Sequence, residues 1–366
     1  MKIPFQNFSA VHSPYRQDLI DSFSRVLDSE WYILGSELKT FENEFSQYLG
    51  VKECIGVANG LEALQISLMA LGIGKGDEVI TTPLSAVATT LAILAVGATP
   101  MFVDVDSNGM ITAQEIEKVI NKRTKAVLPV HLYGASLDIY AIKALCEKHK
   151  LYLIEDAAQA QGTRMNGVNV GTLGTLGCFS FYPTKNLGAL GDAGAIVTDD
   201  PALAAVCRQI RDYGQESKYR HTRLGLNSRL DELQASLLRV KLHFLEKENS
   251  QRRKIAEVYR KALSSVPGLT LLNYDPKSES NYHLFVITSS RRDQLQAFLK
   301  QEGIETLVHY PISIPDQPVF NKSYSEVSIP VCRTMCDEVL SLPCNPAITE
   351  VEVGIVCEAI KKFFTK

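Results

Sequence analysis

The chain has 366 residues, 45% of them hydrophobic, which is enough to bury an extensive core and to form more than one domain. Its 38 basic and 41 acidic residues leave a net charge of −3 with no long run of either sign, which argues against a nucleic-acid footprint and against a polybasic membrane anchor. The eight cysteines are dispersed, with no Cys-x-x-Cys pair and no histidine at zinc-ligand spacing, so reduced, buried thiols and no metal are expected.

The first nine residues lack the apolar stretch and small-residue cleavage site of a secretory signal, which predicts a cytoplasmic protein. From about residue 38 to 245, short apolar runs alternate with amphipathic stretches. The runs predict seven strands: Cys54 to Val57, Glu78 to Thr81, Pro100 to Asp104, Ala126 to Val130, Leu151 to Glu155, Cys178 to Phe181 and Ala195 to Thr198. Helical patterns lie between most of them, at Leu61 to Leu71, Ser85 to Val96, Ala113 to Ile120 and Ile139 to Lys148. Strands of this kind separated by helices imply a mostly parallel sheet covered on both faces. The run from Thr81 to Val103 carries no charge over a length that could span a bilayer. Pro83 and Gly97-Ala98-Thr99-Pro100 interrupt it, so it reads as helix, turn and core strand, and no membrane association is expected.

Ala195 to Thr198 follows its predecessor through a glycine-rich loop, which makes it the candidate antiparallel member. One long charged helix is predicted over Asp231 to Ser264, with Leu233, Leu237, Val240, Leu245 and Ile255 on its apolar side. It should carry the chain from a large domain, residues 1–245, into a smaller α+β domain, residues 246–366. Beyond it lie strand-like pieces at Leu269 to Leu272 and His283 to Thr288, with helices near Asp293 to Glu302, Val331 to Leu340 and Glu350 to Phe364.

Two residues carry the chemistry. Ligands of an open parallel sheet bind beyond the carboxyl ends of its strands, and Asp156 and Lys185 both fall there, in Glu-Asp-Ala-Ala-Gln-Ala (155–160) and Phe-Ser-Phe-Tyr-Pro-Thr-Lys-Asn-Leu-Gly (179–188). A lysine amine can condense with the aldehyde of pyridoxal phosphate, and a buried aspartate can keep the pyridine nitrogen protonated. Singly, Asp156 would read as a helix cap and Lys185 as a solvated loop lysine. Asn59-Gly60 follows a strand and opens a helix, where the first-turn N–H groups of Gly60 and Leu61 can receive a phosphate, and Ser180 could add a hydroxyl. An ordinary helix entry would look the same.

These motifs, with Val-Ala-Asn-Gly-Leu-Glu-Ala-Leu (57–64), Gly-Lys-Gly-Asp-Glu-Val-Ile (74–80), Val-His-Leu-Tyr-Gly (130–134) and Leu-Asn-Ser-Arg-Leu-Asp-Glu-Leu-Gln-Ala (226–235), resemble in order and spacing the DegT/DnrJ/EryC1/StrS family of sugar aminotransferases. The resemblance implies an α/β, fold-type-I, aspartate-aminotransferase-like homodimer with shared active sites and pyridoxal 5'-phosphate as cofactor. It implies Lys185 as the cofactor lysine and proton shuttle, Asp156 on the pyridine nitrogen, Gln159 against the ring or its hydroxyl, Ser180 on the phosphate, and Asn227 reaching the phosphate of the neighbouring subunit. Arg229 is expected to pair with Asp231 or Glu232. L-glutamate would be the amino donor and a nucleotide-linked keto sugar the acceptor, for lipopolysaccharide, other surface glycans or glycosylated metabolites.

The segment Asn59 to Leu64 resembles the branch acting on 3-keto-6-deoxyhexoses, which points to amination at C3. Amination at C4, a cyclitol substrate and a non-catalytic regulatory homologue are the alternatives. Three positions depart from the family pattern: Leu61 replaces a Ser or Thr, Ala86 replaces an aromatic that stacks on the ring, and Pro315-Asp316-Gln317 replaces His-Leu-Gln. His309 and Tyr310 are retained as candidate sugar-binding residues.

Overall fold

The computed structural model describes residues 2–320 and 323–365. The seven strands form one sheet: β1 (Glu53–Val57), β2 (Glu78–Thr81), β3 (Thr99–Phe102), β4 (Thr124–Leu128), β5 (Tyr152–Asp156), β6 (Leu176–Ser180) and β7 (Gly194–Thr198). Their order across the sheet is β1-β7-β6-β5-β4-β2-β3. The pairs β2–β3, β2–β4, β4–β5 and β5–β6 are parallel, whereas β7 is antiparallel to both β6 and β1, as its glycine-rich connection led us to expect.

Both faces of the sheet are covered, which explains why its strands are apolar throughout rather than alternating. On one face, Ile55, Val57, Val79 and Ile154 pack with Ile66 and Leu68 of the helix Gly60–Ala70, with Ile93 of Ala88–Ala95 and with Ile210 of Pro201–Arg211. On the other, Phe41 and Phe45 of the helix Ser36–Leu49 meet the strand aromatics, and the Phe45 ring stands edge-on to Phe179 at 5.2 Å and to Phe181 at 5.3 Å. The uncharged run Thr81 to Val103 resolves into a strand end, the helix Ala88–Ala95, a turn and β3. Among the described residues no helix is long and apolar enough to cross a membrane.

A second core surrounds a three-stranded antiparallel sheet of Thr270–Leu271, Phe285–Thr288 and Val339–Leu342, packed by the helices Leu245–Leu263, Arg292–Gln301 and Glu350–Thr365. Ile3 belongs to this core, and its N–H donates to the Gly303 carbonyl at 2.9 Å. The start of the chain is thereby fastened to elements from its last third.

Several elements differ from expectation. The single helix predicted over Asp231 to Ser264 is two, Glu232–Leu242 and Leu245–Leu263. The break at His243 and Phe244 has no Gly or Pro to mark it, and the Phe244 ring lies 4.7 Å from that of Tyr15. The helix expected to reach Leu340 ends at Glu338, because Val339 and Leu340 pair with Thr288 and Ile287 in the small sheet. The helix expected from Ser85 begins at Ala88. Arg229 pairs with Asp212 at 3.1 Å, not with its sequence neighbours, since Glu232 is occupied in capping the N–H groups of Gly35, Glu37 and Leu38. All eight cysteines are free and buried.

Candidate active site

Three chain crossings meet at the carboxyl ends of β1, β5 and β6. The first is the turn from β1 into the helix Gly60–Ala70. The side chain of Asn59 caps this helix by accepting the Glu62 N–H at 2.9 Å, which leaves the N–H groups of Gly60 and Leu61 at the open first turn. Gly60 lies so close to β6 that a Cβ there would stand 2.6 Å from the Ser180 Cβ. A helix N-terminus and a serine hydroxyl are thereby brought to one spot.

The second crossing is the end of β5. Asp156 is buried, and each of its carboxylate oxygens is held: Thr89 Oγ1 donates to one at 2.8 Å and the Ala158 N–H to the other at 3.1 Å. Burial raises the Asp156 pKa, opposed by these two hydrogen bonds and by the nearby charges of Lys185 and His131. A buried carboxylate so oriented is suited to a cationic N–H partner. Its neighbour Glu155 points the other way, to His131 Nε2 at 2.9 Å and to the N–H groups of Gly171, Leu173 and Gly174. Burial opposes ionisation of Glu155, but the hydrogen bonds from His131, Gly171 and Gly174 outweigh it and lower its pKa.

The third crossing is the turn after β6. Its backbone is closed by Lys185 N–H to the Tyr182 carbonyl at 2.8 Å and by Ala189 N–H to the Phe181 carbonyl at 2.7 Å. Lys185 is half-buried, and its burial brings its pKa down to about 8 despite the Asp156 carboxylate, which acts in the opposite direction. An amine with that pKa is substantially neutral, and therefore nucleophilic, in mildly alkaline solution.

These residues line one cavity of about 550 Å³, with Gly60, Leu61, Asp156, Gln159, Ser180 and Lys185 all on its wall. Its size is that of a small-molecule site. An amine, a buried carboxylate and an open helix N-terminus around one space match the aldehyde, pyridine nitrogen and phosphate of pyridoxal phosphate. Ala86 and Thr89 line the same cavity.

Gln159 is fixed at both ends: its Oε1 accepts from the Tyr133 N–H at 2.7 Å and its Nε2 donates to the Tyr310 hydroxyl at 3.1 Å. Tyr310 thus joins the site through Gln159, and its burial pushes its pKa up to about 12, with the Asp156 charge adding to the effect and the Gln159 hydrogen bond opposing it. His309 does not line the cavity; its Nδ1 lies 2.8 Å from Ser341 Oγ and its carbonyl accepts from the Tyr133 hydroxyl. Asn227 is exposed and does not line this cavity. Asp316, in the departing segment, is tied to Arg333 at 2.9 Å and to Ser313.

Sequence reasoning missed Thr89 as the partner of Asp156, and Tyr133 as the anchor of Gln159. No local signal identifies either: Thr89 lies 67 residues from its partner and Tyr133 lies 26 from Gln159.

The chain matches the DegT/DnrJ/EryC1/StrS aminotransferase family over residues 15–361. It is 43% identical over 363 residues to the erythromycin biosynthesis sensory transduction protein EryC1 of Saccharopolyspora erythraea, covering 99% of each chain. It is also 43% identical over 362 residues to the dTDP-3-amino-3,6-dideoxy-alpha-D-galactopyranose transaminase of Aneurinibacillus thermoaerophilus, again covering 99% of each. The crystal structure of S. venezuelae DesV in complex with a ketimine intermediate superposes with a TM-score of 0.98 at 40% identity, covering 100% of this chain and 99% of that one. The chain belongs to the DegT/DnrJ/EryC1/StrS family of pyridoxal phosphate-dependent aminotransferases.

Proposed function

We propose that the protein transfers an amino group from L-glutamate to C3 of a nucleotide-linked 3-keto-6-deoxyhexose, in the cytoplasm, as a homodimer with shared sites. The observation that carries the reading is the single cavity holding both the buried Asp156 and the depressed-pKa amine of Lys185. Pyridoxal phosphate, when bound, supplies an aldehyde that condenses with amines and a protonated ring that withdraws electrons from a substrate carbanion. Asp156 keeps the ring nitrogen protonated, its own oxygens being fixed by Thr89 and the Ala158 N–H. Lys185 anchors the cofactor between turnovers. Its amine, when not engaged by the cofactor, would serve as the base that takes a proton from the substrate α-carbon and as the acid that gives it back. The N–H groups of Gly60 and Leu61 and the Ser180 hydroxyl hold the phosphate. Gln159, steadied by Tyr310, would stand against the ring.

Leu61 contributes a backbone N–H but no hydroxyl; the lost hydrogen bond would be worth about 1.5–3 kcal/mol to a charged acceptor, an amount the remaining donors can supply. Asn227 serves the partner's phosphate. The exposed hairpin Gln215–Ser217 and Arg220–His221, just before Asn227, supports that role by projecting from the body with Tyr219 83% exposed. Phe8, Ile20, Phe23 and Leu190 line one open apolar depression, the kind of surface a second copy would cover. The shared site is tested by mixing inactive Lys185→Ala with inactive Asn227→Ala subunits: exchanged heterodimers should regain activity, and none regained after confirmed exchange would overturn it.

The sugar position rests on the Asn59 to Leu64 segment and on the relative whose name specifies a 3-amino-3,6-dideoxy product. Selectivity between ketone positions depends on which sugar hydroxyls find partners, since a buried polar group left unpaired strongly rejects the wrong isomer. Tyr310 stands nearest to that role. Comparing kcat/KM for matched 3-keto and 4-keto nucleotide sugars tests the reading. Preference for the 3-keto compound is expected, and preference for the 4-keto compound would refute C3.

A further inference from the structure

The side chain following Lys185 enters a buried polar cage. Asn249 and Asn281 are fully buried, and Asn186 and His283 nearly so. Asn186 Nδ2 donates to Asn249 Oδ1 at 2.8 Å and to the Asn281 carbonyl at 3.0 Å. Asn249 cannot be turned over, because its own Nδ2 donates to the Gln161 carbonyl at 2.9 Å. Two acceptors therefore fix the orientation of the Asn186 amide, and its Oδ1 is left against His283 Nδ1 at 3.2 Å. An amide oxygen can only accept, so Nδ1 carries a proton, and in the neutral ring Nε2 then does not.

The cage is closed on its other side. Asn281 Oδ1 accepts from the His283 N–H at 2.8 Å, while Asn281 Nδ2 donates to the carbonyls of Gln159 and Gln161 at 3.1 and 3.0 Å. Gly134, at φ +88°, makes room: a Cβ there would fall 1.8 Å from Asn281 Oδ1. Gln161 Nε2 continues to the carbonyls of Ser180 and Ala158, at 2.6 and 3.2 Å, and so reaches the cavity wall. Beyond Asn186 the same turn is gripped again, where the buried Lys241 ammonium donates to the Gly188 carbonyl.

We infer that Asn186, locked by Asn249 and Asn281 and facing His283 as the neutral Nδ1–H imidazole, is a positioning residue that aims Lys185 into the cavity, an inference that rests on Lys185 being the cofactor lysine. Because adjacent residues share a peptide plane, an amide fixed by three partners sets the backbone from which the lysine reaches. Burial, reinforced by the charges of Lys185, Arg252 and His309, holds the His283 pKa well below the ordinary histidine range. The cage thus adds no positive charge beside the amine.

Proton-coupled nitrogen-15 spectra of the histidine-labelled holoenzyme test the tautomer. His283 should appear as Nδ1–H and should not titrate between about pH 5 and 8, whereas an Nε2–H form or a titration in that interval would overturn the inference. Asn186→Ala should lower kcat by about 10- to 100-fold with little change in the KM for glutamate, since a misaimed group loses rate rather than binding. Adding Asn249→Ala to it should cost little more, because both act through one hydrogen bond, and additive losses would contradict this. His283→Gln, which can still donate to Asn186, should retain more activity than His283→Leu, and equal activities would count against the cage. Borohydride reduction and peptide mapping separate the two failures. Cofactor found on another lysine would sink the functional reading; cofactor on Lys185 with wild-type kcat in Asn186→Ala would sink only the positioning role.

Discussion

At the floor of the cavity, Asp156, Ser180 and Lys185 lie on strand ends or on the tight turn that follows, so the sheet itself sets their separation. Tyr310, which we take as the rim, is not on the cavity wall; it comes from the far part of the chain and is connected through one hydrogen bond to Gln159, 151 residues away. A site held by a rigid sheet can keep the geometry that bond-making demands, while one assembled from distant loops can vary its shape without disturbing the chemistry. Floor substitutions should therefore remove turnover, and rim substitutions should tune it.

The largest effect is expected for Lys185→Ala, which should lower kcat by ~10⁴-fold or more, since on the proposed reading it removes both the covalent anchor and the proton carrier. Noncovalent cofactor binding should survive through the phosphate contacts. Full turnover by this variant would break the floor half of the comparison.

Asp156→Asn comes next, with an expected loss of about 10²- to 10³-fold in kcat, the size usual for removing a charge aimed at a developing one. It also has a readout free of turnover. The carboxylate stabilises the Lys185 ammonium, so its removal should move the midpoint for chemical modification of Lys185 in the cofactor-free protein below about 8. A midpoint that rises would mean the two groups do not interact as the geometry requires.

Tyr310→Phe should have the smallest effect. Losing one neutral hydrogen bond to Gln159 is worth about 0.5–1.5 kcal/mol, or roughly 2- to 13-fold in kcat/KM. A loss as large as that of Asp156→Asn would move Tyr310 from the rim into the chemistry.

The same division decided what could be read from the sequence. Asp156, Ser180, Lys185 and the Asn59-Gly60 turn were legible because each sits in a short motif attached to a strand. The seven strands were legible because two-sided burial makes them continuously apolar. By contrast, Thr89, Tyr133 and the Asn186, Asn249, Asn281 and His283 cage depend on partners tens of residues away, and nothing local marks them. The helix Arg16–Ser29 went unread because Ile20, Phe23 and Leu27 lie exposed while Leu19 and Val26 are buried, which blurs the helical period. The helix Pro201–Arg211 did carry a signal, Asp200 as cap followed by Pro201 at the first position.

The central claim is that Lys185 and Asp156 build a working transamination site around pyridoxal phosphate, and one titration tests it most directly. Purified wild-type protein reconstituted with the cofactor should be yellow, lose its visible absorption when L-glutamate is added, and regain it when a keto acceptor follows. Lys185→Ala should show no such cycle. Reconstituted protein that remains colourless, or a visible band that L-glutamate and other amino donors leave unchanged, would contradict the account.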